Sequence, residues 1–140
     1  MGRMRVGKKG QLAVFVAMSF RWIEEPALID YFEAIKRAAR RVRRRPAIEM
    51  MEFVGGDREI PQAIMERISS CDLLIADFTL SSPNVFFEVG FARGRDKRII
   101  QMAREGTELP FDVRNWPTLF YRNATELEAK LAAALAGAIA

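Results

Sequence analysis

Apolar runs of strand length alternate with amphipathic stretches of helix length along almost the whole chain, and this rhythm constrains the fold more than any other feature. LAVFVAM (Leu12 to Met18) is a continuous apolar run, as expected of a strand covered on both faces. A helical pattern from Pro26 to Arg44 follows and stops before Pro46. AIEMMEFV (Ala47 to Val54) carries glutamates within a strand pattern, which suits a sheet edge, and Gly55-Gly56 ends it. REIPQAIMERISSC (Arg58 to Cys71) reads as a helix and DLLIADF (Asp72 to Phe78) as a buried strand. A helix from Pro83 to Arg95, a strand from Arg98 to Ala103, a loop through Pro110-Phe111-Asp112 and a strand from Pro117 to Tyr121 continue the alternation. Thr125 and Glu128 are spaced as a capping box for the last helix, which is rich in alanine and leucine.

Five strands alternating with helices in 140 residues imply an α/β fold, with a parallel sheet covered by helices on both faces. Right-handed crossovers favour a flavodoxin-like three-layer sandwich with strand order 2-1-3-4-5. The length suits one domain, expected over residues 11–140 and preceded by a basic arm at residues 1–10. In this order the topology switches between strands 1 and 3, and ligands bind there, at the carboxyl ends of the strands. The flanking loops are MSFR (Met18 to Arg21) and DFTLSSPN (Asp77 to Asn84).

Composition narrows the chemistry. Half of the residues are hydrophobic, which marks a globular chain. No apolar run reaches the roughly 20 residues needed to span a bilayer, so no membrane partner is expected. The basic start MGRMRVGKKG precedes a short β-branched run without a small-residue cleavage site, and reads as leading into a strand and not as a signal peptide. Cys71 is the only cysteine, which excludes an internal disulfide, fits a reducing cytoplasm and suits a small buried hydrophobe. The absence of histidine removes Ser–His and Cys–His catalysis and the usual zinc sites, and no metal or cofactor is expected. Any catalysis falls mainly to carboxylates, helped by hydroxyls, arginine and backbone N–H groups.

The net charge of +4 is unevenly spread: Lys36 to Arg45 (KRAARRVRRR) holds seven basic residues and no acid. On a helical wheel these bases face away from Leu28, Tyr31, Phe32, Ile35, Ala38, Ala39 and Val42, which describes an amphipathic helix with a solvated basic face. Without interleaved aromatics or a recognition motif, nucleic acid is not the expected partner.

SSPNVFFEVGFARG (Ser81 to Gly94) raises the functional question. Ser82 is a natural N-cap and Pro83 a natural first helical residue, and the helix they open is apolar almost all round. Glu88 nevertheless sits within it, four residues after Asn84 and on the same face. One explanation is a narrow solvent-facing edge continued by Arg95. The other is a partly desolvated functional carboxylate, because Val85, Phe86, Phe87, Val89 and Phe91 leave little surface unburied. Asp77, at the end of strand 3, either points into the same crevice or caps the following turn.

Two uses of this architecture fail on specific positions. A receiver domain needs an acidic pair after strand 1 and a lysine after strand 5, where this chain has Met18-Ser19 and Tyr121-Arg122. An FMN-binding flavodoxin wants a Gly- and hydroxyl-rich phosphate loop after strand 1, and SFRWIEEP has no glycine.

A third pattern fits. CDLLIADFTLSSPNVFFEVGFARGRDKRII resembles the nucleoside 2-deoxyribosyltransferase family and the related nucleotide N-glycoside hydrolases. VFVAMSF, PNVFFE and PFDVRNWPTLFY look similar to their bacterial TIR-like relatives, and the likeness covers most of the chain in order. The resemblance implies that Glu88 is the catalytic carboxylate, attacking or stabilising the anomeric carbon. It implies that Ser82 contacts a 5′-phosphate and that Ser19, Phe20 and Arg21 form the first phosphate- and sugar-binding loop. Asp77 or Asn84 would position sugar hydroxyls. It also implies a homodimer, for which Phe111, Trp116 and Phe120 are candidate contacts. The chain departs from the pattern at Trp22 and Ile23, where the hydrolases carry glycines, which narrows or reshapes the pocket. It departs again near Ile64, where some members carry an aspartate and only Glu66 is nearby.

The expected function is cleavage or transfer at the N-glycosidic bond of a nucleoside, nucleotide or NAD-like ligand. The alternative is a nucleotide-sensing or TIR-like signalling module that binds without turnover.

Overall fold

A computed structural model of the chain describes residues 11–43, 46–49 and 60–139. The basic arm (1–10), Arg44-Arg45, the expected strand continuation from Met50 to Val54, Gly55-Gly56 and the helix start at Arg58-Glu59 lie outside the described residues. The elements run β1 (Ala13–Ala17), α1 (Ala27–Arg40), β2 (Ala47–Glu49), α2 (Ile60–Ser70), β3 (Leu73–Asp77), α3 (Pro83–Gly94), β4 (Arg98–Arg104), α4 (Phe111–Arg114), β5 (Thr118–Tyr121) and α5 (Ala124–Ile139).

The strands form one parallel sheet in the order β2-β1-β3-β4-β5, with β2 at the edge that its glutamates suggested. Every residue of β1 and β3 is buried, as a parallel sheet covered on both faces requires. Side-chain alternation along the strands sorts the core into two halves. Val14, Val16, Leu73, Ile75, Met102 and Tyr121 face one layer, made by Leu28 and Ile35 of α1 and Leu127, Leu131 and Leu135 of α5. Phe15, Ala17, Leu74, Ala76 and Ala103 face the other, made by Ile64 and Ile68 of α2 and Val85, Val89 and Ala92 of α3. The architecture is therefore the α/β flavodoxin-like three-layer sandwich, with α1 and α5 on one face and α2 and α3 on the other.

Four local expectations are corrected. Pro110 to Asp112 does not continue as loop: Pro110 starts the single-turn α4, with Val113 buried beneath it. The last helix is capped by Asn123, not Thr125. Asn123 Oδ1 accepts the Glu126 N–H at 2.8 Å, while the Glu126 carboxylate reaches back to the Arg122 N–H at 3.2 Å. The helix thus begins a residue before Thr125, and Glu128 is released to bridge Arg37 of α1 (2.6 Å) and Arg41 at its C-cap (3.3 Å). The basic face of α1 is consequently not wholly solvated, since part of it is neutralised by α5. Finally, α3 is not covered all round, because Phe87 is 53% exposed.

Candidate active site

The strand order puts the topological switch between β1 and β3, where the β1–α1 loop and the β3–α3 turn leave the sheet at its carboxyl end. The β3–α3 turn has an unusual backbone. Leu80 (φ 71°) and Ser81 (φ 48°) are consecutive non-glycine residues in the left-handed region, a conformation that costs energy and concentrates at functional sites. Ser81 N–H closes the turn on Phe78 O at 2.8 Å, and Ser82 then adopts an extended backbone before Pro83 opens α3. Phe78 stacks on Phe86 of the first helical turn at 5.1 Å, fixing the angle at which α3 departs.

Glu88 is 4% exposed and lies in the core-facing stripe Val85-Glu88-Val89-Ala92, so the solvent-facing edge is ruled out. Asn84 and Arg95, placed on the same face by sequence, are exposed on its outer shoulder. Position in the stripe also fixes direction. Arg93 lies on the other flank of α3, where its guanidinium donates to Gln101 Oε1 of β4 at 2.7 Å and stacks 3.5 Å above the Trp116 ring. Glu88 therefore faces away from β4, toward the side of α2 and β1 that adjoins the switch point.

Among the described residues no hydrogen bond or ion pair reaches the Glu88 carboxylate. Burial in these apolar surroundings raises its pKa to about 8, and desolvation is the only cause. The carboxylate still touches solvent. The one side-chain atom in the described residues that is both sealed and unpartnered is Trp22 Nε1.

Asp77 is the opposite case. It is the last residue of β3, and alternation directs it to the α1/α5 face, across the sheet from α3. Its Oδ1 accepts the Thr79 N–H at 2.9 Å and the Thr79 hydroxyl at 2.6 Å, and its Oδ2 accepts the Tyr121 hydroxyl at 2.6 Å. Desolvation raises its pKa, and the bonds from Thr79 and Tyr121 oppose the rise. Of the two alternatives left by the sequence, the structure shows the capped turn, and it does not bring this carboxylate together with Glu88.

The remaining site residues divide between the two loops. Ser19 is buried and accepts the Arg21 N–H at 3.3 Å; Phe20 is half-buried, edge-on to Trp22. Arg21 is exposed, its Nε donating to Glu24 at 2.8 Å. Ser82 is buried at the N-cap, but its side chain makes no capping bond. The departures from the family pattern resolve differently. Trp22 packs against the α1/α5 core and Ile23 is 98% exposed, so Ile23 narrows no pocket among the described residues. Ile64 is buried core and Glu66 is exposed, which leaves no acid on that face of α2 among the described residues. Cys71 is buried, its thiol bonded to Ile68 O at 3.1 Å and pushed up in pKa by burial, as a small core residue should be.

Sequence reading missed Thr79, Tyr121, Arg104 and Glu25. Arg104 Nη1 donates to Glu25 of the β1–α1 loop at 2.8 Å and approaches Tyr31 Oη at 3.4 Å. The Asp-x-Thr spacing right after a strand was the available signal for Thr79. Nothing local marks the partners 40 or more residues away.

A concavity of about 870 Å³ lies elsewhere. Leu109, Arg114, Trp116, Pro117, Thr118 and Phe120 line it, on the Arg93 flank of α3. Phe111, Trp116 and Phe120 are all exposed in this region. Its one carboxylate, Glu108, is exposed, so by chemistry the site belongs with Glu88 and not with this furrow.

No protein-family model and no curated protein sequence matches the chain. Solved structures do. A CMP N-glycosidase from Clostridium botulinum is 21% identical and aligns with a TM-score of 0.63 over 87% of this chain and 98% of its own. A 2-deoxyribosyltransferase from Leishmania mexicana is 16% identical, with a TM-score of 0.53 over 66% of this chain and 64% of its own. The chain shares the fold of these two structures, and among the described residues no helix is long and apolar enough to cross a membrane.

Proposed function

We propose that this protein cleaves, or transfers at, the N-glycosidic bond of a nucleotide-like substrate, NAD-like molecules included, with Glu88 as the carboxylate that meets the sugar. The observation that carries this reading is a buried carboxylate on the switch-point flank of α3 that has no partner among the described residues. Breaking a C–N glycosidic bond builds positive charge on the sugar, and a fixed carboxylate in a low dielectric stabilises that charge strongly. The names carried by the structural neighbours, an N-glycosidase and a deoxyribosyltransferase, support the same reaction class.

In this reading the ionised Glu88 attacks the anomeric carbon as the bond to the base nitrogen breaks, and the bonding pair leaves with the base. Water then displaces Glu88 from the sugar in hydrolysis, or a second base does so in transfer. The α3 N-terminus and the Ser82 hydroxyl receive the phosphate, with Ser19 and Arg21 on the opposite loop. Arg21 exchanges Glu24 for the anion, and Phe20 and Asn84 border the sugar. Asp77 shapes the β3–α3 turn without touching substrate. Subunits pair as a homodimer, with Phe111, Trp116 and Phe120 in contact.

A second reading, TIR-like nucleotide sensing without turnover, is favoured by Ile64, a buried apolar residue near the place where some members of the resembled family carry an aspartate. One experiment separates the two. The protein is incubated with nucleosides, nucleotides and NAD, and free base is measured by chromatography beside calorimetric binding. Base release that Glu88→Gln abolishes supports catalysis; saturable binding with ligand recovered intact supports sensing; release at equal rates by wild type and Glu88→Gln removes Glu88 from the chemistry.

A further inference from the structure

One buried hydroxyl reaches both ends of the β3–α3 turn's root, Asp77 at 2.6 Å and Thr79 Oγ1 at 3.0 Å. Tyr121, fully buried at the end of β5, donates to Asp77 Oδ2 at 2.6 Å, while Asp77 Oδ1 holds the N–H and the hydroxyl of Thr79. Thr79 Oγ1 in turn accepts the Arg104 N–H of β4 at 3.0 Å. The ends of β3, β4 and β5 are thereby joined at the root of the turn in which Leu80 and Ser81 are forced into left-handed backbone. On its other side the Tyr121 ring meets Tyr31 edge-on at 5.0 Å. Tyr31 shares the Arg104 guanidinium with Glu25 of the β1–α1 loop.

We propose that Tyr121 is a positioning residue that holds the β3–α3 turn and, acting through Asp77, aims the Ser82 hydroxyl and the α3 N-terminus at the phosphate of the substrate. This rests on the reading above, in which that terminus receives the phosphate. The geometry supplies the reason. Two successive non-glycine residues at positive φ relax unless the turn is pinned at its base. The pin is a carboxylate whose outer oxygen has the Tyr121 proton as its hydrogen-bond donor. Removing that proton leaves a buried carboxylate oxygen without a donor, and the turn loses the constraint that sets the direction of Ser82. Glu88 lies on the other face of the sheet, so its chemistry is left in place.

Tyr121→Phe tests this, because it removes the proton and keeps the ring. Amide hydrogen exchange at Thr79 to Ser82 is expected to quicken by about tenfold or more, the factor for a lost hydrogen bond to a charged acceptor. Base release from a nucleoside 5′-monophosphate is expected to fall by about tenfold or more through KM, with kcat little changed and the unphosphorylated nucleoside unaffected. Ile35→Val, a mild core change between α1 and the sheet, controls for stability and is expected to alter neither readout. Unchanged exchange at the turn in Tyr121→Phe overturns the proposal, whatever the activity. Equal loss on phosphorylated and unphosphorylated substrates also overturns it. If the wild type releases no base at all, the reading above falls. Exchange at the turn, together with calorimetric binding of inorganic phosphate to wild type and Tyr121→Phe, then decides this one.

Discussion

Asp77 and Glu88 are both carboxylates buried around β3 and the helix that follows it, and their surroundings are opposite. Asp77 receives three donors, from Thr79 twice and from Tyr121. Glu88 has none among the described residues and is enclosed by the apolar stripe of α3. The same sheet lies between them, with Asp77 facing α1 and α5 and Glu88 in the layer of α2 and α3. Burial makes a bare carboxylate costly, and hydrogen bonds from the fold offset that cost. Where the fold supplies the bonds, the acid serves the structure. Where it withholds them, a ligand's developing charge can supply what is missing.

The largest expected effect sets the two acids against each other directly. Glu88→Gln keeps the shape and removes the charge, and base release is expected to fall by roughly 10³-fold or more. Asp77→Asn is expected to retain most of kcat. Chromatographic assay of both variants on one substrate decides it, and equal losses would show that the two carboxylates are one catalytic unit.

Stability should reverse the ranking. Asp77→Ala removes the acceptor of the Tyr121 hydroxyl, which keeps only Thr79 Oγ1 at 3.0 Å, and strands the Thr79 N–H in the core, a loss of about 2–4 kcal/mol in denaturant unfolding. Glu88→Ala removes a carboxyl group that has no hydrogen-bond partner among the described residues, and should cost less. If Glu88→Ala is the more destabilising, the apolar pocket is supporting the acid in some way that its surroundings do not reveal.

The contrast also has a pH signature. Burial lifts Glu88 from 4.5 to about 8, so the folded state binds its proton more tightly than the unfolded state does. That preference contributes fully below pH 4.5 and is lost as pH rises through about 8. The wild type should therefore weaken across this window relative to Glu88→Gln, by an amount on the order of a few kcal/mol. Activity should move the other way, because the attacking form is the ionised one. The kcat/KM profile is expected to climb with pH toward a midpoint near 8 and to be absent in Glu88→Gln. A profile that falls through that region would make Glu88 a proton donor instead.

Much of this could be read from the chain, and the rest had a physical reason to stay hidden. The apolar runs of β1 and β3 and the Pro83 start of α3 are local signals, and they carried the strand order and the switch point with them. Glu88 was legible only as one of two alternatives, because periodicity grouped it with Asn84 and Arg95, which are exposed, while the apolar residues crowding α3 argued for burial. The role of Asp77 was not legible, since its decisive partner, Tyr121, is 44 residues away in sequence. The cap of α5 was misplaced because Thr125 and Asn123 both offer good capping oxygens, and only the backbone decides which one precedes the first helical turn. The segment Phe111–Arg114 reads as loop by composition and becomes helical because Val113 finds a core to enter.

Glu128 extends the comparison to a half-buried acid whose partners are exposed, and gives the smallest effect. It bridges Arg37 and Arg41 between α5 and α1, and those cations hold its pKa below the usual carboxylate value. By sign, this contribution is present above the ordinary glutamate range and is lost as pH falls through the lowered value. Yet Arg37 and Arg41 are 43% and 51% exposed, so water and salt screen the pair. Glu128→Gln should shift the unfolding midpoint far less than Asp77→Ala, and the shift should shrink as salt is raised. Asp77→Ala should lose the same stability at low and high salt, because its donors are sealed from solvent. If the two variants respond alike to salt, desolvation does not distinguish these acids. The contrast between Asp77 and Glu88 would then have to rest on the number of partners alone.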